Sequence, residues 1–102
     1  MPNATPLATE DEIRARVRST LAGCLGETVD EVADAADLRE TLGERYDSLA
    51  AMECISAVEN TFSIEVDFVV DDVRYWFATV DRIVRFITRR LEDSSTLAGG
   101  AV

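Results

Sequence analysis

Apolar residues recur at the spacing of an α-helix in three stretches of the chain, and each stretch follows a residue that can cap a helix. The first stretch contains Ile13, Val17, Leu21 and Leu25, four positions apart. Thr9 and Glu12 have the spacing of a capping box, and Gly26 comes directly after the last apolar residue. We therefore predict a first helix between Thr9 and Gly26.

The second stretch is the best-defined helix in the sequence. Asp47 is a favourable N-cap residue, and one helical face after it carries Ala51, Ile55, Val58 and Phe62. The apolar pattern stops between Thr61 and Ile64. We predict a helix that begins after Asp47 and ends in that interval.

The third stretch predicts a last helix near the C-terminus. Thr79 is its expected N-cap, and its apolar face consists of Ile83, Val84, Ile87 and Leu91. Arg89 and Arg90 are expected in its final turn, where cations complement the helix dipole. This pattern predicts a helix that ends near Leu91.

The segments between these helices have weaker patterns. Residues 27–46 carry scattered apolar positions among acids, so we expect this long loop to pack over the core and contain a turn or two of helix. For residues 63–77 we favour a loop followed by a short helix near Asp71 to Phe77, because a strand there would have no partner. The fold class predicted is all-α, a small bundle of three main helices plus one short helix.

The ends of the chain lack any periodic pattern. Residues 1–8 contain two prolines, and residues 93–102 are mostly small and polar. We predict a flexible N-terminal tail at 1–8, one domain at 9–92 and a flexible C-terminal tail at 93–102. A chain of 102 residues has room for one compact domain.

Composition and charge exclude several classes of function. The chain has 20 acidic and 10 basic residues, a net charge of −10, and its basic residues are all arginine, with no lysine or histidine. Without these two residue types there is no imidazole general base, histidine-activated nucleophile, Schiff-base lysine or phosphate-loop lysine. We therefore expect no catalytic residues. The acidity argues against nucleic acid and favours partners with basic surfaces.

Metal binding, membrane insertion and export are not indicated either. Cys24 and Cys54 are too few to form a structural zinc site without histidine, and we expect a pair of buried free thiols. No apolar stretch is long enough to span a bilayer, and residues 1–9 do not resemble a signal peptide. We expect a cytoplasmic, monomeric protein.

The tripeptide Asp47-Ser48-Leu49 stands where the long loop meets the second helix. A serine in the first turn lies beside unpaired backbone N–H groups at the positive end of the helix dipole, so a phosphate ester on Ser48 would be stabilised. Asp47 could bind a divalent metal or a basic group on a modifying enzyme. Ordinary helix capping is the alternative explanation of the same residues.

The order of these features resembles the acyl carrier protein family from about Ile13 to Leu91. The resemblance rests on a helix, a long loop, Asp-Ser-Leu, an acidic helix, then Phe62-Ser63-Ile64-Glu65-Val66 and Thr79-Val80. In that family the serine receives a 4′-phosphopantetheine arm from coenzyme A, and the arm's thiol carries acyl groups as thioesters. The resemblance implies that Ser48 is the attachment site, with Asp47 and Leu49 beside it.

The resemblance also implies a docking surface and a set of partners. Docking positions along the second helix would be Leu49, Met52, Glu53, Ser56 and Glu59. Partners would be a phosphopantetheinyl transferase and acyl-handling enzymes with basic patches, such as a ligase, an acyltransferase or a ketosynthase. Apolar side chains between the second and last helices could part to admit an acyl chain.

Two departures from the family pattern favour polyketide or other specialised biosynthesis over bulk fatty acid synthesis. The Leu42-Gly43 pair is separated from the motif by Glu44, Arg45 and Tyr46, two residues more than usual. The segment from Phe68 to Phe77 is rich in aromatic and branched residues. The expected function is a free-standing acyl carrier protein; the alternatives are an aminoacyl or peptidyl carrier and a helical adaptor that has lost the arm.

The aromatic segment allows two interpretations of Trp76. It could belong to the core, on a face shared with Val73, Phe77 and Val80, or it could be an exposed anchor for a dedicated partner. We favour the core position, because the turn into the last helix can bring these side chains together.

Overall fold

The computed structural model describes the backbone of residues 9–100 and the side chains of residues 9–92. Three main helices are α1 (Glu10–Leu25), α3 (Ser48–Phe62) and α5 (Val80–Gly100), and two short ones are α2 (Leu38–Leu42) and α4 (Val73–Trp76). Two 3₁₀ turns cover Glu27–Glu31 and Gly43–Tyr46. No strand occurs between residues 9 and 100, so the predicted all-α bundle is confirmed.

The helices begin where their predicted caps stand. The Glu12 backbone N–H donates to Thr9 Oγ1 at 3.2 Å, and the Glu12 carboxylate accepts from the Thr9 backbone, which completes the capping box. The Arg82 N–H donates to Thr79 Oγ1 at 3.0 Å at the start of α5. Gly26 ends α1 with a φ of 89°, a conformation that favours glycine.

One hydrophobic core joins the three main helices. Helix α1 packs against both α3 and α5, and its stripe of Ile13, Val17 and Leu21 is fully enclosed. The other buried apolar side chains come from every part of the fold and are Val29, Val32, Leu38, Tyr46, Cys54, Ile55, Val58, Phe62, Val66, Phe77, Val80, Ile83, Val84, Phe86 and Ile87. The predicted apolar faces therefore form the core.

The long connection between α1 and α3 is tied to the start of α5. The Leu38 N–H donates to the Ala78 carbonyl at 2.8 Å, and the Asp81 N–H donates to the Asp34 carbonyl at 3.0 Å. Arg14 forms ion pairs with both Asp34 and Asp81. As predicted, this connection packs on the core and contains helical turns, and these bonds fix its course toward α3.

The aromatic segment divides between core and surface. Phe77 is the buried member at 2% exposure, and its ring lies 5.7 Å from that of Phe86. Trp76 is only half-buried: it packs against Phe86 on one side, and the Arg89 guanidinium lies over its ring. The predicted position of Trp76 in the core is therefore correct only in part. The backbone at the end of α4 directs Phe77 into the core and leaves Trp76 at the edge of the core.

Helix α5 is longer than predicted. It continues to Gly100, whereas the apolar pattern predicted an end near Leu91. No proline interrupts this stretch, and Leu97 and Ala98 are strong helix formers. The predicted tail at 1–8 and the last two residues lie outside the described part of the chain.

Because α5 continues, its arginines lie in mid-helix and not in the final turn. Arg90 instead holds the loop after α3: it donates to the Glu65 carbonyl at 3.1 Å and forms an ion pair with Asp71. This contact anchors the loop that leads to α4.

The two cysteines differ in environment, although both were expected to be buried. Cys54 is fully buried, and this burial raises the pKa of its thiol to about 12. Cys24 is exposed at the end of α1, where its Sγ lies 4.0 Å from the Glu53 carbonyl oxygen. The position lies at the edge of the α1–α3 contact, which explains its exposure. Both thiols are free.

Candidate functional site

The Asp47-Ser48-Leu49 motif forms the start of α3. Asp47 is the N-cap residue, and its Oδ1 accepts a hydrogen bond from the Ala50 N–H at 2.8 Å. Ser48 is the first residue of the helix and its side chain is exposed. Since Asp47 supplies the capping oxygen, the Ser48 hydroxyl is left facing solvent at the helix N-terminus.

The segment before the motif is held by a buried tyrosine. Glu44, Arg45 and Tyr46, which separate Gly43 from the motif, lie in a 3₁₀ turn. Tyr46 is 5% exposed, and its hydroxyl donates to the Phe77 carbonyl at 2.6 Å. Burial raises the pKa of the Tyr46 hydroxyl further above neutral pH, which favours the protonated form that donates this bond. This bond ties the residue preceding Asp47 to the turn before α5.

A cleft of about 370 Å³ opens beside Ser48. Its apolar lining comes from α3, α4 and the turn before α5 and consists of Ala51, Met52, Ile55, Val73, Phe77 and Ala78. The charged residues that line it are Asp37, Arg39 and Arg74, and Tyr46 lies among them. An apolar interior with a few polar groups is the usual composition of a small-molecule site.

The start of α3 fits a phosphate ester. The first N–H groups of a helix have no partner within it, and together with the helix dipole they favour a negative group. The Ser48 side chain is exposed, so an ester there would displace no buried atom. The residues present are therefore compatible with a covalently bound phosphopantetheine group.

Four of the five expected docking residues share one exposed face of α3. Leu49 is 70% exposed and Met52 47% exposed, both high values for large apolar side chains. Glu53 and Ser56 are exposed on the next two turns. The spacing of three or four residues makes these side chains neighbours on the helix surface.

Glu59, the fifth, has a different environment. It is half-buried, and its Oε2 accepts a hydrogen bond from the Val66 N–H at 2.9 Å. The carboxylate therefore fixes the loop that follows α3, and the Glu59 side chain is less exposed than those of Glu53 and Ser56. The physical reason is that the loop turns back over the end of α3, which brings an unpaired N–H to this side chain.

Three residues of the site were not expected from the sequence. Arg39 and Arg74 lie 35 positions apart and line one cleft only because α2 and α4 flank it. Tyr46 belongs to the segment that separates Gly43 from the motif, and its position directly before the cap is the one local signal that it helps to place the motif. Nothing in the sequence pattern indicates that the two arginines line the same cleft.

The described residues contain neither a group of metal ligands nor a membrane-spanning helix. Between residues 9 and 92, no three or more cysteine, aspartate or glutamate side chains are grouped so as to hold a metal ion. In the part of the chain that the structure describes, no helix is both long and apolar enough to cross a membrane.

Comparison with known proteins identifies the family. The family model described as "phosphopantetheine attachment site" matches residues 15–87, well over half of the chain. Neither the curated proteins nor the solved structures provide a significant match. The matched range includes α3, the cleft and the whole connection between α1 and α3. The chain therefore belongs to the phosphopantetheine-binding family of acyl carrier type domains, whose members carry a covalently bound 4′-phosphopantetheine group.

Proposed function

We propose that this protein carries acyl intermediates as thioesters on a 4′-phosphopantetheine arm attached to Ser48. The observation that carries the proposal is the exposed Ser48 hydroxyl at the first residue of α3, with the cap supplied by Asp47. A transferase can reach this hydroxyl without unfolding the helix. The carrier domain proposed is residues 9–92.

Attachment of the arm is a group transfer that needs no catalytic residue in this chain. The Ser48 oxygen forms a bond to the phosphorus of the arm as the bond from that phosphorus to the nucleotide half of coenzyme A breaks. The nucleotide leaves, and the serine proton passes to the transferase. The thiol at the far end of the arm then forms thioesters in the active sites of other enzymes, and the domain itself acts as carrier.

The proposed pathway is polyketide or other specialised biosynthesis. Support comes from the 3₁₀ turn Gly43–Tyr46, which places the exposed Arg45 two residues before the cap. A cation there changes the charge that a partner meets beside Ser48, so enzymes adapted to a wholly acidic surface would bind less well. This favours partners dedicated to this carrier.

The proposed docking face consists of Leu49, Met52, Glu53 and Ser56. It combines two exposed apolar side chains with an acidic one, directly after the attachment residue. A partner with a basic patch around an apolar depression would complement it. The partners proposed are a phosphopantetheinyl transferase and acyl-loading or acyl-transferring enzymes.

Loading with the arm tests the proposed function. The protein is incubated with coenzyme A and a broad-specificity phosphopantetheinyl transferase, and its intact mass and modified peptide are determined. We expect the mass of one arm, on Ser48 and not on Ser19, Ser56 or Ser63, which lack a preceding aspartate at a helix start. An unmodified chain, under conditions that convert a control carrier, would favour a helical adaptor.

Mutation of Glu53 should affect transfer rates, whereas mutation of Glu59 should affect stability. Glu53→Arg should slow loading or acyl transfer and leave stability within about 0.5 kcal/mol of wild type, because its side chain is exposed. Glu59→Ala should lose about 1–3 kcal/mol of folding free energy, because the Val66 N–H would lose its acceptor. Transfer kinetics at two salt concentrations and urea unfolding measure the two effects.

Two results would contradict these assignments. Transfer rates unchanged by Glu53→Arg would remove the acidic part of the docking face. A Glu59→Ala variant as stable as wild type would show that its bond to Val66 does not fix the loop. Glu59→Gln is the matched control, since its side-chain oxygen can still accept the hydrogen bond.

A further inference from the structure

Two arginines flank the cleft beside the proposed attachment residue. Arg39 comes from α2 and Arg74 from α4, and both line the same cavity as Ser48. The rest of the lining is mostly apolar. Two exposed arginines therefore line a mostly apolar cleft in a protein whose net charge is −10.

Neither arginine is neutralised by the described side chains. Within residues 9–92, carboxylates lie within 4 Å of Arg14, Arg18 and Arg90, but none lies this close to Arg39 or Arg74. The acid that shares the cleft, Asp37, uses its Oδ1 to accept the Glu40 N–H at 3.0 Å as the cap of α2. Two guanidinium groups thus remain available to an anion.

The size and lining of the cleft indicate what the anion is attached to. A volume of about 370 Å³ lies at the lower end of the range of about 300–1,000 Å³ for small-molecule sites. Met52, Ile55 and Phe77 would contact a hydrocarbon chain. Guanidinium groups bind carboxylates through paired N–H donors.

We propose that Arg39 and Arg74 bind a free carboxylate on the acyl cargo, so that the preferred cargo is a dicarboxylic acid joined to the arm through one of its two carboxyl groups. This inference rests on the proposed function. The apolar lining holds the hydrocarbon part, and the two arginines hold its charged end. The arm's own phosphate is the other anion that could reach them.

The test compares two cargoes of equal length. A transferase attaches the arm together with its acyl group, from either hexanedioyl-coenzyme A or hexanoyl-coenzyme A. The melting temperature of each acylated protein is compared with that of the protein that carries the arm without an acyl group. Ligands that bind the folded state raise its melting temperature. We expect the protein with hexanedioyl cargo to melt roughly 4 °C or more above the protein with hexanoyl cargo. This difference in melting temperature should shrink in high salt, which screens the charges.

Charge-removing variants identify the residues responsible. Arg39→Gln and Arg74→Gln should each reduce the difference between the two cargoes. Arg45→Gln should preserve it, because Arg45 is exposed near Ser48 but does not line the cleft. The control removes the same charge from the same region.

The outcomes separate this inference from the proposed function. Equal melting temperatures for the two cargoes would overturn the carboxylate site and leave the carrier role intact. The arginines could instead bind the phosphate of the arm. In that case Arg39→Gln and Arg74→Gln would already lower the melting temperature of the protein that carries the arm without cargo, and the cargo carboxylate would have no further effect. This result would also overturn the carboxylate site. Failure of Ser48 to accept any arm, seen by intact mass, would overturn both.

Discussion

Replacing Ser48 by alanine is expected to abolish loading with phosphopantetheine. The hydroxyl oxygen is the atom that would form the phosphoester, and alanine provides no substitute. The fold should be unaffected, because the side chain is exposed and alanine is the most favourable helix residue. Intact mass after incubation with coenzyme A and transferase should show no added arm, while unfolding should remain within about 0.5 kcal/mol of wild type.

Two further substitutions make the result specific. Ser19→Ala removes another exposed serine, on α1 and outside the proposed docking face, and should load with one arm. Asp47→Ala removes the cap of α3 and should lose about 0.5–2 kcal/mol of stability. An arm found on the Ser48→Ala protein would mean that another residue is the attachment site.

Replacing Phe77 by alanine is expected to cause a large loss of stability. The ring is 2% exposed and packs on Phe86, so its removal leaves a cavity at the junction of α4 and α5. Truncation of a buried aromatic costs about 3–5 kcal/mol, a large part of the roughly 5–15 kcal/mol that stabilises a small domain. The cavity would also loosen the turn whose carbonyl accepts the Tyr46 hydroxyl, and with it the segment before Ser48.

Its neighbours provide graded controls. Trp76→Ala should lose clearly less, because Trp76 is only partly buried, and Val69→Ala should change little, because Val69 is 94% exposed. Urea unfolding followed by circular dichroism measures all three. Fluorescence is unsuitable for the comparison, since Trp76 is the one tryptophan in the chain. A Phe77→Ala protein as stable as Trp76→Ala would contradict the packing described for α4.

Local sequence was sufficient to place the helix starts and the Ser48 hydroxyl. Thr9, Asp47 and Thr79 each accept a hydrogen bond from a backbone N–H three residues later. Such a bond depends on residues within one helical turn, so the same residues predict it without knowledge of the fold. The apolar faces of the three main helices follow from a period of 3.6 residues in the same way.

Tertiary structure decided everything that depends on which segments meet. The sequence could not show that the loop after α3 returns its Val66 N–H to Glu59, or that α4 directs Phe77 and not Trp76 into the core. Helix α4 spans one turn, too short for periodicity to distinguish its faces. Arg39 and Arg74 become neighbours of Ser48 only through the packing of α2 and α4 around one cleft, because contacts between distant segments follow from burying apolar area and not from local spacing.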